Sequence, residues 1–275
     1  MPVRDDIARF ARTYAVRLSV EGLPWRYYRL GQGPPVLWLT GGLRRAALAC
    51  ASLTLLAERH TVIAPDYPPV RTIGEYLAAL DAILQAEGVA RCALAGQSYG
   101  GLLAQAYLAH APAAVERLVL TSSGPADYGR AWLPVEQACI ALARLLPERT
   151  VMNLLAGGLL RALALPGDVR SEWSEVLRGV LTEELTRQDV ISHFAVAADL
   201  IRRRIVLPAA YRGWAGSVAV LSADNDPTQS PKDLPRYERL FGRPVRRISL
   251  GNVGHAGVLH DPACYVRLLE DALRG

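Results

Sequence analysis

The sequence predicts an α/β fold: a mostly parallel eight-stranded sheet flanked by helices, with a helical segment inserted before the last two strands. Short apolar runs alternate with longer helical stretches along most of the 275 residues, which is typical of a parallel sheet covered on both faces. Between Gly124 and Gly213 the strand pattern disappears. We expect residues 1–124 and 213–275 to form one α/β core, and residues 125–212 to form a helical lid over the carboxyl ends of the strands. The alternative for this segment is a separate helical domain.

Eight short segments have the pattern of strands. Residues 14–20 alternate apolar and polar side chains, and residues 25–29 follow a turn at Gly22 and Pro24, which predicts an antiparallel start to the sheet. The other strands are predicted where short apolar runs occur, at residues 36–39, 61–64, 92–95, 117–121, 218–221 and 245–250.

Helices are predicted between these strands. Residues 72–87 carry Ile73, Leu77 and Leu80 on one face, and Gly88 ends the pattern. The last helix is predicted to begin after Asp261, an N-cap residue. The remaining core helices are predicted at residues 46–59, 99–110 and 231–241. Within the inserted segment, helix breaks are predicted at Pro134, Pro147, Pro166, Gly179 and Pro208.

The composition excludes several classes of protein. Apolar residues make up 51% of the chain and no low-complexity tract occurs, which excludes a disordered protein. No charge-free apolar run reaches about 18 residues, so we expect no membrane span. The first residues have scattered charges and no continuous apolar core, so we expect no signal peptide. The four cysteines form no CxxC pair, which favours a reducing, cytoplasmic location over a disulfide framework.

The net charge of +5 does not indicate a nucleic-acid partner. Lys232 is the only lysine among the 31 basic residues, and the arginines are dispersed along the chain. A nucleic-acid-binding protein is expected to gather basic residues on one face, with aromatic residues among them. We therefore expect a small-molecule ligand and no nucleic acid.

The most informative motif is GQSYGG at residues 96–101, which follows an apolar strand and precedes a helix. In this context a GxSxG pattern predicts a sharp turn that strains the backbone of Ser98 and lifts its hydroxyl above the sheet edge. The amino end of the next helix favours negative charge that develops there. The alternative is a glycine-rich turn with a solvated serine.

A serine nucleophile needs a base, and the base needs a carboxylate that orients it. His255 lies in a glycine-rich loop after the last strand and is the preferred base over His260, which directly precedes the last helix. Asp224 and Asp226 both follow the preceding strand. We favour Asp226, because Pro227 directs the chain after it into a turn, whereas Asp224 suits a role in binding turn amides.

With these residues the chain resembles the α/β-hydrolase superfamily over nearly its whole length outside the lid. Ser98, Asp226 and His255 follow the superfamily's order of nucleophile, acid and base. The sequence Thr-Gly-Gly at residues 40–42 stands where the superfamily carries His-Gly-x. The resemblance implies that the backbone N–H groups of Gly42 and Tyr99 form the oxyanion hole. The loop Asp-Tyr-Pro-Pro at residues 66–69 departs from the usual pattern and is faintly similar to the maspardin-like branch.

We therefore expect a serine hydrolase that cleaves a carboxylic ester or related acyl bond of a small apolar substrate. Apolar lid helices predict a preference for neutral esters with a hydrophobic moiety. The lid residues expected to contact the substrate are Trp132, Trp173, His193 and Phe194.

Two other functions use the same scaffold: a ligand-binding receptor or adaptor without turnover, and a cofactor-free lyase or C–C hydrolase. We expect neither metal nor cofactor, because the sequence has no His, Asp and Glu cluster at ligand spacing and no phosphate-binding loop.

Overall fold

A computed structural model of the chain describes residues 2–163 and 167–274, without the side chains of residues 2, 159–163, 167–172 and 260. Its central feature is one eight-stranded sheet. The strands are β1 (Ala15–Val20), β2 (Leu23–Leu30), β3 (Pro35–Leu39), β4 (Thr61–Pro65), β5 (Cys92–Gln97), β6 (Val115–Thr121), β7 (Ser217–Ser222) and β8 (Arg246–Ser249).

The strand order is β1-β2-β4-β3-β5-β6-β7-β8. β2 pairs antiparallel with β1 and with β4, and every other pair is parallel. This confirms the predicted mostly parallel sheet with an antiparallel start, and each strand end lies within about two residues of its predicted position.

Helices cover both faces of the sheet. They are α1 (Pro2–Tyr14), α2 (Cys50–Leu56), α3 (Ile73–Ala86), α4 (Tyr99–His110), α5 (Leu133–Leu145), α6 (Glu148–Leu163), α7 (Gly167–Gly179), α8 (Arg187–Arg203), α9 (Asp233–Phe241), α10 (Gly257–His260) and α11 (Pro262–Arg274). Alternate residues of β3 enter opposite cores: Leu37 and Leu39 belong to one apolar cluster, and Val36 and Trp38 belong to the other. This two-sided burial explains the continuous apolar runs of the parallel strands.

One predicted helix needs correction, and one observed helix was not predicted. The helix predicted at residues 46–59 is a 3-10 turn at Ala46–Ala49 followed by the shorter α2. The amino-terminal helix α1 was not predicted, because most of its residues are polar or charged and its apolar residues occupy only one face. That face includes Phe10, whose ring packs 5.1 Å from the ring of Tyr28 on β2.

The segment between β6 and β7 contains only helical elements among its described residues. We call residues 125–212 the helical insert. Pro134 lies in the first turn of α5, Pro147 separates α5 from α6, and Pro208 begins a 3-10 turn, as the sequence predicts. The break predicted at Gly179 is wrong, because Gly179 keeps helical backbone angles and α7 continues into a π-helical turn at Val180–Glu184. The break predicted at Pro166 lies outside the described residues.

No helix in the described ranges is both long enough and apolar enough to cross a membrane.

A buried arginine joins the core to the helical insert. Arg44 lies in the loop after β3 and is 1% exposed, with a left-handed φ of 62°. Its guanidinium pairs with the carboxylate of Asp189 on α8, with 3.2 Å between Nε and Oδ1. It also donates to the carbonyl oxygen of Pro68 at 2.6 Å and to the hydroxyl of Ser192 at 3.0 Å. The loop after β3 and helix α8 are therefore held by one side chain.

We expect Arg44→Met to lower the free energy of unfolding by about 3–5 kcal/mol, because it leaves the buried carboxylate of Asp189 without its partner. Chemical denaturation followed by circular dichroism measures this loss. The control is Arg4→Met, which breaks an exposed pair with Glu183 of the same insert. That change should cost less than about 1 kcal/mol. Equal losses in the two variants would contradict the role given to Arg44.

Candidate active site

Ser98 occupies the sharp turn between β5 and α4. Its backbone has φ 52° and ψ −117°, a conformation that non-glycine residues rarely adopt. A hydrogen bond to the neighbouring strand holds this turn in place: the Ser98 amide donates to the carbonyl oxygen of Thr121 on β6 at 2.8 Å. The strained conformation is the one that the GQSYGG motif predicts.

Glycines around Ser98 allow the strand and the helix to approach each other. A Cβ atom on Gly96 would lie 2.5 Å from the carbonyl oxygen of Gly100. One on Gly100 would lie 2.2 Å from the carbonyl oxygen of Leu39, and one on Gly101 would lie 2.3 Å from the hydroxyl of Ser123. The first two contacts are with backbone, which cannot move aside, so the turn requires glycine at these positions.

The structure brings Ser98, His255 and Asp226 into one hydrogen-bonded chain. The distance from Ser98 Oγ to His255 Nε2 is 2.9 Å. The other ring nitrogen, Nδ1, lies 3.0 Å and 3.1 Å from the two carboxylate oxygens of Asp226. The three residues come from the loops after β5, β8 and β7, whose carboxyl ends meet at the same edge of the sheet.

Two hydrogen bonds between loops keep His255 in register with Asp226. The Leu250 amide donates to the Ser222 carbonyl oxygen at 2.9 Å, which continues the pairing of β7 and β8. The Gly254 amide donates to the side-chain oxygen of Asn225 at 2.8 Å. The residue before His255 is therefore tied directly to the residue before Asp226.

Thr228 extends this chain and was not singled out in the sequence. Its hydroxyl lies 2.7 Å from Asp226 Oδ1 and 2.9 Å from His255 Nδ1. A hydroxyl that donates to the carboxylate can accept from the imidazole, which places the proton on Nδ1 and leaves Nε2 free to accept from Ser98. The Thr228 amide also donates to Asp226 at 2.9 Å. Asp-Pro-Thr is an Asx-turn pattern, so this contact has a local sequence signal.

The charge on Asp226 is stabilised despite burial. Burial by itself raises the pKa of this carboxyl. The hydrogen bond and charge of His255, with the hydrogen bonds of Thr228, more than offset that effect, and the pKa lies below its ordinary value. Asp226 is therefore ionised at neutral pH.

Asp224, the alternative acid, points elsewhere. Its exposed carboxylate accepts hydrogen bonds from Arg247 and Ser249 of β8, both at 2.8 Å. The side chain of His260, the alternative base, lies outside the described residues. Among the described side chains, the carboxylate that contacts His255 is that of Asp226.

The structure places Gly42 and Tyr99 next to each other beside Ser98. Gly42 lies in a turn closed by a 2.9 Å hydrogen bond from the Arg44 amide to the Gly41 carbonyl oxygen. A Cβ atom on Gly42 would lie 4.0 Å from Cβ of Tyr99. Tyr99 is the first residue of α4, where amide groups have no partner within the helix.

Two cavities meet at Ser98 and His255. The smaller has a volume of about 50 Å³. The larger has a volume of about 270 Å³ and lies against the helical insert. Apolar side chains of the smaller cavity include Leu43, Leu48, Ala49, Val258 and Leu259. The larger cavity mixes apolar and polar groups, among them Leu102, Ser122, Tyr128, Glu136, Phe194 and Thr228. The space beside Ser98 is therefore not apolar throughout, in contrast to the expectation from the insert helices.

His193 and Phe194, two of the four insert residues expected near the substrate, line the larger cavity. The His193 ring stacks on the ring of Tyr99 with centroids 4.1 Å apart. Burial, together with the nearby charge of Arg44, lowers the pKa of His193 to about 4. His193 is therefore uncharged at physiological pH and forms part of the cavity lining.

The structure does not bring the two tryptophans to either cavity. Trp132 is 52% exposed and contacts the ring of Tyr128 edge to face. Trp173 is buried in the apolar cluster of the insert, with Leu177 and Leu181. Helical spacing alone could not separate a side chain that packs the insert from one that faces the cavity.

Within the described ranges, no group of three or more His, Cys, Asp or Glu residues is placed to hold a metal ion.

Comparison with known proteins agrees with this architecture. No curated protein sequence matches the chain. Among solved structures, an esterase from Thermogutta terrifontis has a TM-score of 0.76 at 18% identity, over 94% of this chain and 98% of its own. An enol-lactonase from Burkholderia xenovorans has a TM-score of 0.74 at 18% identity, over 94% of this chain and 100% of its own.

A meta-cleavage product hydrolase from Pseudomonas fluorescens is also similar, with a TM-score of 0.72 at 16% identity over 95% of this chain and 98% of its own. At these identities the structural likeness shows a shared fold. The sequence model of the alpha/beta hydrolase family matches residues 22–266, which span all the strands after β1 and the helical insert. The chain belongs to the alpha/beta hydrolase family.

Proposed function

We propose that this protein is a serine hydrolase that cleaves a carboxylic ester, or a related acyl bond of a small molecule, through an acyl-enzyme on Ser98. The observation that carries the proposal is the continuous chain from Ser98 Oγ through His255 to Asp226, with heavy-atom distances of 2.9 Å and 3.0 Å. A nucleophile, a base and an orienting acid at such distances suit acyl transfer. The esterase and the enol-lactonase among the similar structures support this class of reaction.

The reaction begins when Ser98 Oγ attacks the carbonyl carbon and its proton passes to His255 Nε2. Asp226 and Thr228 hold Nδ1–H, so the imidazole keeps its orientation and its positive charge is stabilised. The carbonyl oxygen becomes an oxyanion, which the amides of Gly42 and Tyr99 bind. Each such donor contributes about 3–4 kcal/mol to transition-state stabilisation.

Collapse of the first tetrahedral intermediate breaks the bond to the leaving group, which takes the proton from Nε2. Water then attacks the acyl-enzyme, and His255 again accepts a proton and returns it to Ser98 Oγ. These two half-reactions require no cofactor and no metal ion.

The helical insert acts as a cap in this proposal. His193 and Phe194 on α8 line the larger cavity that meets Ser98, and Arg44 holds α8 against the loop that carries Gly42. A cap in this position excludes water from the reacting groups and shapes the substrate space.

C–C bond hydrolysis is a second candidate, because the meta-cleavage product hydrolase has the same fold. The same nucleophile, base and oxyanion donors serve both reactions. Turnover of simple esters at rates well above those of the Ser98→Ala variant favours the esterase assignment.

We expect a fluorophosphonate probe to form a covalent adduct on Ser98, because His255 activates this hydroxyl and the oxyanion amides favour the tetrahedral phosphorus. Peptide mass mapping identifies the labelled residue. Ser98→Ala should abolish labelling. The matched control is Ser122→Ala, which removes a buried hydroxyl from the same cavity and should leave labelling intact. An adduct on any other residue of the folded protein, or none, would refute the proposed function.

The two aspartates make a matched pair for the orienting acid. Asp226→Asn should lower kcat by a factor on the order of 10⁴, because an amide favours the wrong tautomer of His255. Asp224→Asn should lower kcat less than about threefold, since it alters an exposed contact with Arg247. Steady-state kinetics on one p-nitrophenyl ester measures both. If the larger loss followed the change at Asp224, the assignment of the acid would be wrong.

The smaller cavity should limit the acyl chain. The larger cavity has about five times the volume of the smaller one, so we expect the bulky p-nitrophenyl group to take the larger cavity and the acyl chain to take the smaller one. Each methylene that is buried there should add up to about 0.8 kcal/mol to transition-state binding until the cavity is full. We expect kcat/KM to rise over the first few methylenes from acetate and then to fall.

Two alanines provide the variants for this measurement. Ala49→Val narrows the smaller cavity and should move the maximum to a shorter chain. Ala197→Val adds the same volume to the wall of the larger cavity and should leave the maximum in place. A flat profile, or a maximum that moves only with Ala197, would count against an apolar acyl site in the smaller cavity.

A further inference from the structure

The larger cavity contains a carboxylate that the proposed reaction does not use. Glu136 lies in the first turn of α5 and lines this cavity together with Ser98 and His255. The residue is half-buried, and its Oε2 atom is buried without a hydrogen-bond partner among the described residues. Burial raises the pKa of this carboxyl, and no neighbouring cation offsets the effect.

An unpartnered buried carboxylate oxygen costs free energy, so its position requires an explanation. A carboxylate in the first turn of a helix interacts favourably with the helix dipole. A solvent-exposed carboxylate would interact with the helix dipole equally well, so the dipole does not explain why Oε2 is buried in the cavity. A structural ion pair does not explain it either, because no cation stabilises the charge of Glu136. Arg236, which acts on the neighbouring Tyr128, already pairs with Asp127 and Asp233.

The surroundings of Glu136 suit a ligand that is apolar along its length and positively charged at its end. The rings of Tyr128 and Phe194 line the same cavity and can pack against methylene groups. The carboxylate is then the acceptor for a protonated amine, which carries up to three N–H donors.

We propose that Glu136 binds a protonated amino group on the leaving-group part of the substrate, so that the preferred substrates are small apolar acyl esters of amino alcohols. The inference rests on the proposed function for the orientation of the ester: the acyl group occupies the smaller cavity, and the alcohol occupies the larger one. It replaces the expectation that neutral esters with a hydrophobic moiety are preferred. Glu136 therefore determines specificity and takes no part in the proton transfers.

The test measures equilibrium binding to the Ser98→Ala protein, so that no ester is cleaved during the experiment. The probes are 3-aminopropyl, 4-aminobutyl and 5-aminopentyl acetate, and each is compared with the n-alkyl acetate in which a methyl group replaces the ammonium group. Isothermal titration calorimetry at pH 6.5 gives the dissociation constants. At this pH the amine is almost fully protonated, so transfer of the acetyl group from oxygen to nitrogen is slow. At least one aminoalkyl ester should bind about tenfold more tightly than its alkyl counterpart, the effect of one hydrogen bond to a charged group.

Adding Glu136→Gln to the Ser98→Ala protein should remove this tenfold preference while the alkyl esters change less than about twofold. The matched control is Glu175→Gln, which removes an exposed carboxylate from α7 of the same insert and should preserve the preference. The proposal is overturned if no aminoalkyl ester binds measurably. It is also overturned if no pair shows the preference, or if Glu136→Gln weakens both members of a pair equally.

This binding comparison is independent of turnover. If Ser98 of the unaltered protein failed to react with a fluorophosphonate, the proposed hydrolase function would be refuted, and the dissociation constants would still show whether Glu136 selects an ammonium group. If Ser98 reacts but the preference is absent, the hydrolase proposal stands and the role of Glu136 is refuted.

Discussion

The close packing of β5, α4 and β3 at the Ser98 turn is the constraint on which the rest of the site depends. Side chains at Gly96 and Gly100 would collide with backbone carbonyl oxygens at 2.5 Å and 2.2 Å. Only glycine allows the left-handed turn that holds Ser98 at φ 52° above the sheet edge. The same packing sets α4 directly behind the loop after β3, so Gly42 and Tyr99 lie side by side. The proposed nucleophile and the proposed oxyanion donors are therefore positioned by one backbone arrangement.

The proposed base, His255, and the proposed acid, Asp226, reach Ser98 from the other half of the sheet. Their positions depend on contacts between loops. Asn225 holds the amide before His255, and Thr228 bridges Asp226 and His255. These contacts restrict the imidazole to one orientation. In the proposed reaction this restriction reduces the reorganisation needed in the transition state. The two cavities beside Ser98 have different linings. The smaller one is mostly apolar, whereas the larger one combines core residues with insert residues that include Glu136.

The sheet was predictable from the sequence because strands buried on both faces leave continuous apolar runs, and the GQSYGG turn identified Ser98 through its glycines. The choice of Asp226 over Asp224 rested on one proline and agrees with the observed contact to His255. Less could be predicted where the outcome depends on tertiary packing. Trp132 and Trp173 have the same helical setting in the sequence as His193, yet only His193 faces the cavity. Arg44 and Glu136 carry no local signal, because their partners, or the lack of them, arise only when the insert packs on the core.

The central claim is that Ser98 attacks a carbonyl whose oxygen is held by the amides of Gly42 and Tyr99. A crystal structure of the complex with a trifluoromethyl ketone, which forms a tetrahedral adduct, tests it most directly. We predict a covalent bond to Ser98 Oγ, an oxyanion about 2.7–3.1 Å from both amide nitrogens, and His255 Nε2 within hydrogen-bond distance of Oγ. An adduct on another residue, or an oxyanion directed away from Gly42 and Tyr99, would contradict this account.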